Sequence, residues 1–564
     1  MGNAREHGGL LARLQKTPVA YLFLIIALAW LPGFFTLPPL DRDESRFAQA
    51  SKQMLETGDF VSIRFGDEAR DQKPVGIYWM QSASAALFGE LTGDAERGQI
   101  WTYRIPSLLG GAAALALTYW MVRWFAPAET AFLAALLLGA TILVWAETKI
   151  AKTDAVLLAT VLGSQSLLLR SFLSRHANAR LAKPEFSHVL LGWGSFGFGI
   201  LVKGPIVILI CLATALGVSL WERNFSWLRA VRVLPGIAIA AAIVLPWAIA
   251  IGIETNGAFY ANSLGRDFAL KLAGVQETHG GPPGYYLLLS PLSFWPASLV
   301  LLPGLYYAVR HVREPAIRFL LVWLATTWLM FEFAPTKLPH YVLPAFPTLA
   351  IFGALWLSSD EAAPMRRWER AAVITSVVLF AIVGFALIAF ALYAPMEFGG
   401  HTPPWAYAVA GLAGIAVVTA VVFAASKGRR LESVASAVLA GMLCYALVGF
   451  GAVPNLTELN ISPRIGAAVA KERLPNDPPV VLAGYSEPSA RFLLGTATQF
   501  ATGARAGALL PETGGLAVVE RAEQGAFQAA MAQRGMHAEP RVTIDGRNYS
   551  NGRAVSLTLY RVTP

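Results

Sequence analysis

Charge is what this sequence has least of. Of 564 residues only 14% are Asp, Glu, Lys or Arg, whereas 55% are hydrophobic and the mean hydropathy is +0.51. Soluble globular chains carry about 25% charged residues, so an ordinary soluble enzyme or binding domain is excluded. Cysteine is nearly absent too: Cys211 and Cys444 fall inside apolar runs, where a small buried hydrophobe is expected and no disulfide framework is implied. No internal repeat is visible, which counts against an inverted-repeat transporter. The net charge of +9 sits in short clusters between apolar runs, a topology signal that speaks against a nucleic-acid partner.

What the sequence does have is apolar runs long enough to cross a bilayer core of about 30 Å. They predict an α-helical polytopic membrane protein with about thirteen spans, near 18–38, 104–124, 128–146, 155–174, 188–202, 204–221, 231–252, 285–308, 316–333, 340–357, 371–393, 405–424 and 433–452. No small-residue cleavage site follows the first run, so it is expected to be retained. Basic residues such as Arg13 and Lys16, Arg175 and Lys183, Arg310 and Arg313, and Arg366 and Arg367 mark alternate connections as cytoplasmic. The N-terminus is then cytoplasmic, while the loops 39–103, 147–154, 253–284 and 334–339 and the tail after Pro454 face the periplasm of a bacterial inner membrane. Residues 1–453 form a membrane unit. Residues 454–564 form a small soluble α/β unit, with strands at 480–485 and 515–520, a helix at 522–534, and strands joined by turns around Gly546 and Gly552.

The external loops hold the unusual residues. Asp41-Arg42-Asp43-Glu44-Ser45-Arg46-Phe47 opens the first loop, and Phe47, Ala50, Met54 and Leu55 recur at helical spacing until Gly58. An amphipathic helix on the membrane surface is expected, with Asp43 at or near its N-cap. Asp43 is then either a plain capping carboxylate or, with Arg46 one turn later, a reactive one. Gln72-Lys73-Pro74 precedes a second interfacial helix over 75–88, where a lysine either snorkels to headgroups or meets a ligand. Lys152 and Asp154, Lys203-Gly204-Pro205, Arg266, His279, and Lys337-Leu338-Pro339-His340-Tyr341 occupy the other external ends. Positive charge on a face that topology depletes of it suits a phosphate ester at the lipid surface, whose oxygens pair with Lys and Arg. A carboxylate there takes the proton of an attacking hydroxyl.

Taken in order, Asp43-Glu44-Ser45-Arg46-Phe47, Gln72-Lys73-Pro74, Thr153-Asp154-Ala155, Leu201-Val202-Lys203-Gly204-Pro205, His279 with Tyr285-Tyr286, and Thr336-Lys337-Leu338-Pro339-His340-Tyr341 resemble the motifs of C-type membrane glycosyltransferases. The resemblance is to families 39 and 83, which hold protein O-mannosyltransferases and the aminoarabinose transferase that modifies lipid A. It covers the whole chain, and implies the GT-C fold with a periplasmic α/β domain. It further implies a sugar donor on a polyprenyl phosphate of the undecaprenyl type, an acceptor that is lipid A, another glycolipid or a protein, and inversion at the anomeric carbon. By motif position Asp43 is the catalytic carboxylate, and Arg46, Lys73 and Lys203 engage the donor phosphate. Glu44, Gln72, Asp154, His279, Lys337 and Tyr341 line the cavity. Two departures stand out: aminoarabinose transferases usually have Tyr at Phe47 and Glu at Gln72, where the Glu pairs with a histidine in a metal site. His279 is then the remaining metal ligand, if a divalent cation binds at all. The other readings are a transporter or flippase of lipid-linked sugars, or an O-antigen-ligase-like enzyme. The topology has its own test: a reporter active only in the periplasm, fused after Pro454, is expected to be active and the same reporter after Lys183 silent. The reverse pattern would put Asp43 in the cytoplasm.

Overall fold

The computed structural model describes residues 18–176, 182–263, 280–360 and 364–564. Each expected span contains a helical stretch, although the first, expected near 18–38, is helical only over Pro18–Trp30. Among the described residues eight helices are long and apolar enough to cross a membrane, from Ile100–Val122 to Arg430–Asn455, and nine if one bent pair counts as a span. That pair, Tyr285–Ser293 and Ala297–Arg310, meets at 117° where a single span near 285–308 was expected. Pro296 lies at the break, and a residue without an N–H cannot continue the helical ladder. The expected span near 128–146 also divides, into Ala128–Ala140 and Ile142–Glu147. Thr141 is extended there (ψ 141°) and its hydroxyl accepts the Val144 N–H at 3.4 Å, capping the second piece.

The bundle is arranged around Asp154–Leu173, 89% of whose apolar window is buried, against 22% for Val233–Glu254 and Arg367–Glu397 on the outside. The Ile100–Val122 helix crosses it backbone to backbone at Gly110, where a Cβ would come within 2.8 Å of the Val156 main chain.

The first loop forms the expected helix, Asp43–Thr57, ended by Gly58 with φ 73°. It does not lie half in lipid as the apolar spacing suggests. Glu44, Ser45 and every residue from Phe47 to Met54 are buried, because the polar side is covered as well. Ser51 Oγ donates to Gln81 Oε1 on the Gly76–Thr92 helix, and Gln49 Nε2 donates to Thr496 Oγ1 beyond the Pro488–Leu494 helix of the tail.

The tail folds as a five-stranded sheet in the order 499–501, 481–483, 515–520, 553–563, 537–548, parallel in its first two pairings and antiparallel in the last two. Residues 515–519 of the third strand are apolar throughout because both faces are covered. Leu516 and Val518 pack with Ile461 and Ile465, while Ala517 and Val519 pack with Phe527 and Met531 of the Gln524–Gln533 helix.

The tip of the His537–Asn548 and Arg553–Thr563 hairpin grips the start of the first loop. The Asp41 N–H donates to Tyr549 Oη at 2.5 Å, Arg42 Nη2 donates to the Ser550 carbonyl at 2.7 Å, and Ser489 Oγ bonds the Asp41 carboxylate. Burial, reinforced by the nearby Glu487, pushes the Asp41 carboxyl up to about 6 despite the Ser489 bond. A carboxyl whose folded value is raised favours the folded state most when protonated. The contribution is therefore complete below about pH 4 and is lost as pH rises through about 6. Thermal unfolding of the detergent-purified chain is expected to show this loss, on the order of 1–3 kcal/mol, and Asp41→Asn is expected to flatten it. An unchanged pH profile in the variant would assign the dependence to another group.

Candidate active site

Three chain reversals bring their charges together. The Phe186–Lys203 helix ends on Lys203 as the chain turns at Gly204, and the neighbouring Asp154–Leu173 helix begins on Asp154. Lys203 Nζ lies 2.5 Å from Asp154 Oδ1. Lys152 Nζ lies 3.0 Å from Glu147 Oε1, 3.7 Å from Asp154 Oδ2 and 3.3 Å from His340 Nδ1. An ammonium only donates, so Nδ1 accepts and the ring proton sits on Nε2, 3.8 Å from Asp154 Oδ2. Burial disfavours the Lys152 ammonium, but Glu147 and Asp154 outweigh it and hold its proton more tightly than in water. Lys149, by contrast, turns inward: its ammonium donates to the Trp30 carbonyl and lies 4.8 Å from the Trp145 ring centre.

A cavity of about 630 Å³ opens beside this cluster. One end carries Gln72, Lys73, Asp154, Lys203 and Tyr341, with the Lys203 ammonium 5.3 Å from the Tyr341 ring centre. The rest is an apolar trough walled by Leu157, Leu209, Val244, Trp247 and Phe331. Lys73 reaches it because Gly76 sits directly on the 186–203 helix: a Cβ there would lie 2.8 Å from the Leu201 carbonyl oxygen.

The expected site residues divide. Gln72, Lys73, Asp154, Lys203 and Tyr341 share the cavity. Asp43 is the exposed first residue of its helix, and its charge acts on Lys152 and Tyr78. Arg46 follows one turn later, half-buried and outside the cavity lining among the described residues. Glu44 does not line the cavity as expected, because it faces inward. It accepts Arg104 Nε at 2.8 Å and Nη2 at 3.0 Å, the Leu40 N–H at 2.8 Å and the Ala151 N–H at 2.9 Å, and both side chains of the pair are fully buried. Lys337 is likewise turned away from the lining. It donates to the Gly281 carbonyl at 3.0 Å and pairs with Glu332 at 3.4 Å, anchoring the loop start. His279 lies outside the described residues, as does Arg266.

A divalent cation does not fit at Gln72. The amide oxygen already accepts Arg70 Nη1 at 3.3 Å, a cation would meet that guanidinium, and a neutral amide supplies no compensating charge. In the neighbouring cluster the Lys152 ammonium takes the central place among two carboxylates and an imidazole. No group of three His, Cys, Asp or Glu side chains suited to a metal occurs among the described residues. Glu147, His340 and Arg70 adjoin these residues without having been expected among them, although His340 stands within the 336–341 motif. A carboxylate at the end of an apolar run, as in Trp145-Ala146-Glu147, is the available signal for the first.

The model of the dolichyl-phosphate-mannose-protein mannosyltransferase family matches residues 39–258, the stretch that supplies Asp43, Lys73, Asp154 and Lys203. Over almost its full length the chain superposes on ArnT from Cupriavidus metallidurans bound to undecaprenyl phosphate, with a TM-score of 0.72 and 18% identity over 96% of this chain and 97% of that one. The fold is that of the C-type membrane glycosyltransferases. Among curated proteins, the undecaprenyl phosphate-alpha-4-amino-4-deoxy-L-arabinose arabinosyl transferase of Pseudomonas paraeruginosa is 30% identical over 331 residues, and that of Pectobacterium atrosepticum 27% over 359. The matched stretch spans 57% of this chain and 57% of the Pseudomonas protein, and 61% and 59% for the Pectobacterium protein. Within the GT-C fold the Glu44–Arg104 pair has a structural role that can be checked. Arg104→Leu strands a buried carboxylate and is expected to cost about 3–5 kcal/mol in thermal unfolding, with partial recovery in Arg104→Leu combined with Glu44→Leu. An Arg104→Leu protein as stable as wild type would return Glu44 to the cavity.

Proposed function

We propose that this chain is a bacterial inner-membrane glycosyltransferase that moves a sugar from an undecaprenyl-type polyprenyl phosphate to lipid A or a related envelope glycolipid on the periplasmic side. The observation that carries this reading is the shape of the cavity, an apolar trough ending in Lys73 and Lys203. A polyprenyl chain fits the trough, and its phosphate belongs at the cationic end. The names of the relatives and the lipid phosphate in the Cupriavidus structure support the same donor class.

In this reading Lys73 and Lys203 neutralise the charge that grows on the leaving phosphate. Asp154 and Lys152 hold Lys203 in place, so Asp154 is a positioning residue. Asp43, exposed at its helix start, receives the acceptor proton. The acceptor oxygen forms its bond to the anomeric carbon from the face opposite the phosphate. The bond from that carbon to the phosphate oxygen breaks, its electron pair leaves with the polyprenyl phosphate, the acceptor proton passes to the Asp43 carboxylate, and the configuration inverts. Asp43→Asn keeps the shape of the helix start and cannot take the proton. It is expected to lower transfer by about 10²–10⁴-fold with unchanged membrane insertion and melting temperature. Transfer within a few-fold of wild type would make Asp43 a helix-start carboxylate only.

A further inference from the structure

The sugar itself leaves a chemical imprint next to Asp43. Asp43 and Phe47 stand one turn apart on one face of the Asp43–Thr57 helix. Over the Phe47 ring, 4.9 Å from its centre, lies the guanidinium of Arg70. Arg70 is 8% exposed, and its Nε donates to Tyr78 Oη at 2.9 Å while Nη1 donates to Gln72 Oε1 at 3.3 Å. A buried cation is ordinarily matched by an anion. Arg70 has a ring face, a phenol and an amide instead, pairs with no carboxylate among the described residues, and its Nη2 makes no hydrogen bond there. Gln72, its amide partner, lines the cavity beside Lys73.

Of the carboxylates nearby, Asp71 accepts the Asn262 amide at 2.7 Å and the others serve the cluster. Asp154 is held by Lys203 and Lys152, and Glu147 by Lys152. Asp43 is the proton acceptor of the reading above. A sugar bearing an ammonium group would therefore meet the cations Arg70 and Lys73 beside the reacting carbon. A neutral sugar would leave the Arg70 charge buried without a counter-ion.

Building on the glycosyltransferase reading, we propose that the transferred sugar carries a carboxylate, as a hexuronic acid does, and that Arg70 binds this group when the anomeric carbon is beside Asp43. The planar guanidinium matches a carboxylate through paired N–H donors, and the Phe47 ring and Tyr78 hydroxyl hold it in orientation. The anion that Arg70 meets has a second possible source, the donor phosphate, and the two are separable because one is present without any sugar.

Binding is measured on the full chain in lipid nanodiscs with four probes: undecaprenyl phosphate alone, and undecaprenyl phosphate carrying galacturonic acid, galactose or 4-amino-4-deoxyarabinose. The uronic donor is expected to bind about 10-fold or more tightly than the galactose donor. Arg70→Gln is expected to erase that preference and leave binding of bare undecaprenyl phosphate unchanged, and Arg70→Lys to restore it in part. The wild-type preference is informative even if the variants fold poorly. Equal or tighter binding of the galactose or amino-sugar donor would overturn the proposal while leaving the glycosyltransferase reading intact. Loss of affinity for all four probes alike in Arg70→Gln would make Arg70 a phosphate ligand and overturn it as well. Failure of wild type to bind undecaprenyl phosphate at all would sink the donor reading and this inference together.

Discussion

The buried ion pair between Glu44 and Arg104 ties the working parts of this molecule to one another. Arg104 begins a long span, and beyond the carboxylate it donates to the carbonyls of Phe34, Leu37 and Pro38, which fixes the path of the chain as it leaves the first helix. Glu44 takes the Leu40 N–H on one side and the Ala151 N–H on the other. The helix that starts with Asp43 and the turn that carries Lys152 and Asp154 therefore hang on the same carboxylate. Taking two charges out of water is costly, and here each is compensated by a bidentate partner and by backbone groups. Removing either leaves the other buried without its partner.

Much of this architecture is legible in the sequence because hydrophobic length and period are local properties. The spans announce themselves by apolar length, and the alternation of Leu516, Ala517, Val518 and Val519 between two cores explains why a short apolar run in the tail reads as a doubly covered strand. Lys73, Asp154 and Lys203 are visible as charges at the ends of apolar runs. Glu44 is harder. It follows Asp43 directly, and adjacent residues on a helix point in different directions, so one faces out and the other faces a partner sixty residues away. Glu147 joins the site through Lys152, five residues along the same turn, whereas His340 reaches it from a segment nearly two hundred residues away, which no local pattern encodes. The two broken spans are the complementary case: apolar length does not register a proline or an extended threonine at the middle.

The electrostatics around the cavity follow from the same arrangement. Its cations are not loose surface charges. Lys152 sits among Glu147, Asp154 and His340, Lys203 is held by Asp154, and Lys337 is tied into a loop. The guanidinium over Phe47 and the inward-turned Lys149 are, by contrast, held by neutral partners.

The contact at Gly76 carries a consequence for how the trough is shaped. The approach there is main chain against main chain, with no side chain between Gly76 and the Leu201 carbonyl. The width of the cationic end is thus set by a fixed hinge point of the scaffold, while the apolar walls are made of exchangeable aliphatic and aromatic groups. The two ends of the cavity are accordingly free to diverge at different rates. Substitution along the walls reshapes the trough, whereas any side chain at position 76 would push the Lys73 segment away from the helix that carries Lys203.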